Sequence, residues 1–370
     1  MGEPRAFAAS AEPPASRVAY AAAHVVADPF GGPDGSVLDW DATLAFRRHL
    51  WAHGLGVAEA MDTAQRGMGL DWAVTRELIA RSGREARAAG GRIVCGAGTD
   101  QLPPGPAPLD AIAAAYEEQL AVVEDAGAVP VLMASRQLAA SARTPDDYAA
   151  VYGRLLPQLR SPAVLHWLGP MFDPALDGYW GSADLDAAAS ALLDLIGEHA
   201  SRIDGVKISL LDAGREIGFR RRLPAGVRLY TGDDFNYPEL IRGDGSGHSD
   251  ALLGIFDPIA PAAAAALRAL DAGDAAAYDD AFAPTLPLAR HLFEAPTFYY
   301  KTGVVFLAWL AGHQRHFRMV GGLESARSVP HLVRLFELAD AAGLFPDPDV
   351  AADRMRAWLT VQGIDRGAAA

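Results

Sequence analysis

An α/β fold is what the sequence predicts: a (β/α)8 barrel followed by a helical C-terminal extension. Short β-type runs recur eight times between helix-length segments, the connection length that parallel strands require. After Pro258 the β signal stops and residues 259–370 read as helix. A chain of 370 residues has room for both parts.

The β-type runs are AAAHVVADPF (21–30), GVAEAM (56–61), RIVCGAG (92–98), PVLMAS (130–135), PAVLHW (162–167), GVKISL (205–210), RLYTGDD (228–234) and ALLGIFD (251–257). Helical spacing fills 41–54, 71–90, 109–127, 145–160 and 184–202 between them. Eight βα units favour a closed barrel over an open doubly wound sheet, which commonly has fewer strands. The later helices are predicted at 260–272, 274–293, 297–314, 326–343 and 347–362, punctuated by Gly and Pro. Residues 1–16, rich in Ala, Pro and Glu, read as a flexible leader. The expected organisation is therefore leader 1–16, barrel 17–258 and a helical segment 259–370 packed on the barrel.

A formal net charge of −14 argues against a nucleic-acid or anionic-membrane partner, since neither gains from that field. The single cysteine, Cys95, excludes an internal disulfide and any Cys-rich zinc motif. No segment has the pattern of a signal peptide or the roughly 20 apolar residues of a membrane span. A cytoplasmic location is the expectation.

Among 32 Lys and Arg residues only Lys207 and Lys301 are lysine. Lys207 stands inside the apolar run DGVKISLLD, where an ammonium is expensive to bury. Lysine offers an amine whose pKa falls on burial, so that it can attack a carbonyl. Period-2 alternation groups Lys207 with Gly205 and Ser209, opposite Val206, Ile208 and Leu210. With the apolar set facing the helices, Lys207 points into the lumen. Two readings stand at this point: a neutral nucleophile, or a lysine paired with a strand-end carboxylate.

Barrel enzymes place their sites at the carboxyl ends of the strands. Candidates there are Asp62, Thr63, Ser135, Arg136, His166, Trp167, Ser209, Asp233, Asp234 and Asp257. His248, in the glycine-rich GDGSGHSD, is a further candidate beside a solvated-loop reading. Asp62 and Thr63 equally suit helix capping, and one of Asp233 and Asp234 is expected to cap the helix that follows. Tyr179 and Trp180 form either a lid or a packed loop. Lys301 is read as a structural lysine bound to a strand-end carbonyl or carboxylate.

In this order, VVADPF, GVK, YTGDD, GDGSGHSDALLGIFDPIAP and APTFYYKTGVVFLAWLAG resemble the dihydrodipicolinate synthase / N-acetylneuraminate lyase family of class I aldolases, over roughly residues 17–315. The resemblance implies a Schiff-base role for Lys207, a small carbonyl substrate, no cofactor and a homo-oligomer. Two departures stand out. AEAMDTAQRG replaces the family's Gly-Thr-Thr-Gly-Glu, leaving Asp62 and Thr63 near the carboxylate-binding positions, where Asp62 repels a carboxylate unless Arg66 or Arg136 receives it. LHWLGP puts His166 where the family carries a proton-relaying tyrosine, a role imidazole can fill.

The implied site is thus Lys207 and His166 as catalytic groups, with Asp62, Thr63, Arg136, Trp167, Ser209, Asp234 and His248 contacting substrate and no metal. The alternatives are a metal-dependent barrel enzyme using Glu59, Asp62, His166, Asp234 and His248 as ligands, and a catalytically silent metabolite-binding barrel.

Overall fold

The computed structural model describes residues 1–31 and 37–364. Eight parallel strands close into a barrel in sequence order: β1 (Ala19–Ala22), β2 (Gly56–Glu59), β3 (Ile93–Ala97), β4 (Val129–Leu132), β5 (Ala163–Leu168), β6 (Ile203–Ser209), β7 (Arg228–Thr231) and β8 (Asp250–Leu253). Around and between them run α1 (Trp40–Ala52), α2 (Trp72–Ala89), α3 (Leu109–Asp125), α4 (Arg136–Ser141), α5 (Pro145–Leu155), α6 (Leu185–His199), α7 (Ala213–Arg220) and α8 (Tyr237–Arg242). The C-terminal segment adds α9 (Ala260–Asp271), α10 (Ala275–Phe282), α11 (Leu286–Leu292), α12 (Tyr300–Leu310), α13 (Val329–Ala341) and α14 (Pro348–Val361). The last six residues of the expected 259–370 segment lie outside the described residues. No described helix is long and apolar enough to cross a membrane.

Local sequence accounts for these elements. In α2 the Asp71 side chain caps the Val74 N–H, and Gly90 ends the helix in the left-handed region at φ 65°. Its buried residues Thr75, Leu78, Ile79, Ser82 and Ala86 form a stripe at helical spacing. Where one helix was expected over 274–293, α10 and α11 are separate, because Pro284 and Pro287 remove N–H groups that a continuous helix would use. The first strand begins two residues before the expected 21–30 run and ends at Ala22. Its register is fixed by pairing Tyr20 with Gly56 and Leu252, and Phe30 of the same run is exposed.

Strand alternation divides the interior into two layers. Tyr20, Ala22, Ala58, Val94, Val131, Val164, Tyr230 and Leu252 pack together in the lumen, which is a filled core. Gly205 belongs here: a Cβ would sit 2.7 Å from the Tyr230 ring. The opposite faces, such as Val57, Leu165, Val206, Ile208 and Leu253, join the helices in the main core.

Two buried polar clusters tie the layers together. Glu59 of β2 points outward and takes a bidentate bond from Arg47 of α1, at 2.8 and 2.9 Å, plus one from Ser82 of α2 at 2.6 Å. At the barrel seam Asp257, beyond β8, accepts from the His24 backbone N–H and lies 2.8 Å from His24 Nδ1, beyond β1. Residues 1–16 form no regular element. The Gly2 N–H bonds Asp340 of α13, Arg5 pairs with Asp280 of α10, and the Ala15 and Ser16 N–H groups bond Asp271 of α9.

Glu216 of α7 is buried behind β7, accepting from Ser249 Oγ at 2.7 Å and Thr231 Oγ1 at 3.0 Å. Burial raises its carboxyl from 4.5 to about 8. Between those two values the folded chain keeps a proton that the unfolded chain has released, so stability falls as pH rises through that window. Glu216→Gln, neutral at all these pH values, is expected to remove this loss. Its melting temperature relative to the unsubstituted protein should be higher near pH ~8 than near pH ~5, as measured by thermal denaturation across the range.

Candidate active site

Lys207 lies on the lumen side of β6, in register with His166 of β5 and Tyr230 of β7. It is 8 % exposed and has no ion-pair partner within 4.0 Å among the described residues. Burial lowers its amine from 10.5 to about 8, against the opposing pull of Asp234 and Asp62. The backbone makes room for it at Gly232, where a Cβ would fall 2.9 Å from Lys207 Cε and 2.1 Å from Ser209 Oγ. Any larger residue there would displace the lysine chain.

A narrow cleft lies beside the amine, with only about 10 Å³ free, scarcely the room of one water molecule. It is lined by Ala22, Met61, Asp62, Thr63, His166, Leu168, Phe172, Lys207, Ser209, Asp234, Gly254 and Tyr300. His166 Nε2 is 3.2 Å from Ser209 Oγ, and its Nδ1 is buried without a protein partner. Burial, then the neighbouring Lys207, hold the imidazole well below its ordinary pKa, so the ring is neutral at pH ~7.

Asp234 follows β7 and accepts the Ile255 N–H at 2.8 Å. Burial raises its carboxyl to about 7, against that hydrogen bond and the charge of Lys207. Its neighbour Asp233 does not cap α8, as was expected of one of the pair, because it bonds the Phe235 and Asn236 N–H groups in the turn ahead of the helix, which starts after Asn236 without a side-chain cap. The two adjacent aspartates have thus separated into a structural and a cavity role.

Across the cavity, Ala60 in the left-handed region at φ 54° turns the chain after β2 and brings Met61, Asp62 and Thr63 over the mouth. Thr63 Oγ1 and Tyr300 Oη share a hydrogen bond of 2.7 Å. Burial and the nearby Asp62 keep the Tyr300 phenol well above its ordinary pKa, so it remains a proton donor. The next residue, Lys301, is 1 % exposed; its Nζ lies 2.8 Å from Asp62 Oδ2 and donates to the Phe298 carbonyl at 2.9 Å. Phe172, from the loop after β5, packs edge-on to Tyr300 and forms part of the wall.

Six of the nine residues read from sequence therefore converge: Lys207, His166, Ser209, Asp62, Thr63 and Asp234. Three do not. Trp167, adjacent to His166, faces the opposite side of β5 and packs on Phe219 in a larger outer hollow of about 360 Å³ between α6 and α7. Arg136 sits half-exposed at the start of α4, 2.6 Å from Asp173. His248 precedes β8 and so lies at the amino end of the strands, near Arg17, Arg220 and Arg228. Arg66, the other candidate carboxylate receiver, is committed to Asp100 and the Gly96 carbonyl.

The five-residue metal set is likewise pulled apart, because Glu59 is enclosed in the helical layer with Arg47 and His248 is at the other end. Tyr179 and Trp180 are buried against α5: the Tyr179 hydroxyl accepts the Ser135 N–H and contacts Tyr152, while the Trp180 ring packs on Tyr148 and Tyr152.

A family model described as "Protein of unknown function (DUF993)" matches residues 1–364. The chain belongs to the DUF993 family. No curated protein sequence matches it. Among solved structures, a candidate dihydrodipicolinate synthetase from Pseudomonas aeruginosa is similar at a TM-score of 0.68 and 15% identity, covering 88% of this chain and 99% of that one. The dihydrodipicolinate synthase of Aquifex aeolicus gives 0.66 and 13%, covering 89% and 99%. A chloride-inhibited dihydrodipicolinate synthase from Acinetobacter baumannii, complexed with pyruvate, gives 0.64 and 16%, covering 89% and 99%. The resemblance read from short motifs is thus a shared fold at low identity.

Within this DUF993 chain, the departure from the synthase pattern after β2 has its own solution. Asp62 is neutralised by Lys301, so its charge is not left open to repel a substrate carboxylate. The local pattern FYYKTG draws attention to the lysine, and the tyrosine one position earlier is the residue that reaches the cavity. Its sign is positional only: the first residue of a helix whose start abuts a strand-end cavity.

Asp62→Asn leaves the Lys301 ammonium buried without its carboxylate and is expected to cost about 3 kcal/mol. Adding Lys301→Met is expected to recover most of that loss. Denaturant unfolding of the single and double variants measures both; equal stabilities throughout would refute the pairing as a stabilising contact.

Proposed function

We propose that this protein is a lyase, or a related dehydratase, that forms a Schiff base between Lys207 and a small carbonyl compound, with 2-keto acids the favoured class. The observation that carries the reading is a buried lysine amine without an ion-pair partner among the described residues, in a narrow cleft beside His166 and Asp234, where burial lowers its pKa to about 8. The shared fold with dihydrodipicolinate synthases, one of them complexed with pyruvate, supports it.

In this reaction the neutral Lys207 Nζ adds to the carbonyl carbon, giving a carbinolamine. Loss of the former carbonyl oxygen as water, after protonation, leaves an iminium. Its positive nitrogen then accepts the electron pair of a breaking C–C bond, or of a C–H bond whose proton is removed, and an enamine forms. Proton return to carbon and hydrolysis release the ketone product and regenerate the amine. For elimination of water, the enamine electrons instead expel a hydroxyl from the next carbon.

Each cavity residue has a place in this sequence. His166 stays neutral beside Lys207 and can take or return a proton through Nδ1 or, by way of Ser209, through Nε2. Asp234, with a carboxyl near 7, exchanges a proton with the carbinolamine. Thr63 and Tyr300 supply a hydroxyl pair on the opposite wall.

Borohydride reduction in the presence of 2-keto acids should leave a mass adduct on Lys207 that is absent in Lys207→Arg, which keeps the charge and loses the nucleophile. No adduct with any carbonyl compound tried, for a protein turning over substrate, would refute the reading. His166→Gln should still be trapped while turnover falls by about 10²–10⁴-fold. Because the unprotonated amine attacks, kcat/KM should rise with pH through the region near 8. Asp234→Asn removes a carboxylate that raises the Lys207 pKa, so the rise should move to lower pH; an unmoved profile would separate Asp234 from the amine.

A further inference from the structure

Away from the barrel mouth, the end of α11 lies beside the start of α13, and His291, Glu294 and His331 meet between them. His331 Nδ1 is 2.9 Å from Glu294 Oε1, and His291 Nδ1 is 3.2 Å from Glu294 Oε2. The two imidazole rings stack with centroids 4.3 Å apart. One ligand-type atom from each residue lies within 4.8 Å of the other two, which no other trio of His, Cys, Asp or Glu achieves among the described residues.

The hydrogen-bond roles within this trio are informative. His291 Nε2 is 3.0 Å from the backbone carbonyl oxygen of His331. A carbonyl only accepts, so Nε2 carries a hydrogen, and in the neutral ring Nδ1 presents a lone pair. His291 Nδ1 faces a carboxylate oxygen at 3.2 Å, a position that a proton or a metal cation fills.

Geometry and surroundings agree. Ligands held about 2.0–2.2 Å from a tetrahedral zinc ion stand roughly 3.3 Å from one another, close to the two carboxylate–imidazole spacings here. The His291 N–H to a backbone carbonyl is the type of outer bond that fixes the tautomer of a metal-binding imidazole. Arg327 donates to the main-chain carbonyls of Glu294 and Ala295, not to the carboxylate, whose oxygens face the two histidines.

We propose that His291, Glu294 and His331 form a binding site for a divalent transition-metal ion, zinc being the one this ligand set suits. The fourth position opens toward solvent, on the exposed side of Glu294. The ion ties α11 to α13, both of which pack against α12, the helix that begins with Tyr300 and Lys301. The site is separate from Lys207 and does not depend on the chemistry there.

The test uses the full chain, stripped with a chelator and desalted. Titration with Zn²⁺ by calorimetry should show one saturable equivalent, and Co²⁺ should give the visible absorption of a low-coordinate cobalt site. Zinc should raise the melting temperature by a few degrees, roughly as ligand linkage predicts. His291→Gln and Glu294→Gln change side chains with solvent exposure and should fold normally by circular dichroism, yet bind at least ~10-fold more weakly. Absence of a one-equivalent binding event would overturn the site. So would equal zinc affinity in both variants and the unsubstituted protein, which would place the ion on other histidines.

Discussion

Closing a parallel sheet into a barrel leaves every strand residue one of two dry environments, and alternation decides which. A charged or polar side chain on such a strand finds either the helical layer or the lumen, with water in neither. Glu59 takes the first course and is held by Arg47 and Ser82. Lys207 takes the second, and nothing of equal strength is provided for it. The difference between these two charged strand residues, one fully paired and one left without an ion-pair partner, is the basis of the chemistry proposed for the site.

The mouth of the barrel also holds both lysines of the chain. Lys301 is locked between Asp62 and a backbone carbonyl, whereas Asp234, nearest in role to Lys207, is partly occupied by the Ile255 N–H. One ammonium–carboxylate pair is therefore strong enough to be a fixed part of the wall. Lys207 and Asp234 form no such pair, and burial leaves the amine near 8 and the acid near 7. Both groups thus change protonation near neutrality, as the proposed chemistry requires.

Much of this was legible from the amino-acid order. Eight apolar runs with helix-length connections specify the barrel because parallel strands permit no shorter link, and alternation along GVKIS places Lys207 correctly in the lumen. The same alternation, applied to LHW, separates His166 from Trp167; proximity to a strand end alone does not. His248 shows a second limit, since a glycine-rich loop looks alike whether it leaves a strand or enters one. Tyr300 lies beyond both kinds of reasoning. Its hydroxyl meets Thr63 across 237 residues, and such a contact is fixed by packing of the whole C-terminal bundle on the barrel.

The first residues of the chain have a bearing on how the molecule comes to exist. Their partners are Asp271, Asp280 and Asp340, between 255 and 338 positions away, and β1 needs β8 before the barrel is closed. During synthesis residues 2–16 must therefore remain without these contacts until α9, α10 and α13 have been made. Closure of such distant contacts is slow, and the exposed first strand is open to wrong pairing in the interval. The contacts of residues 2–16 thus form only after the strands of the barrel have all been made.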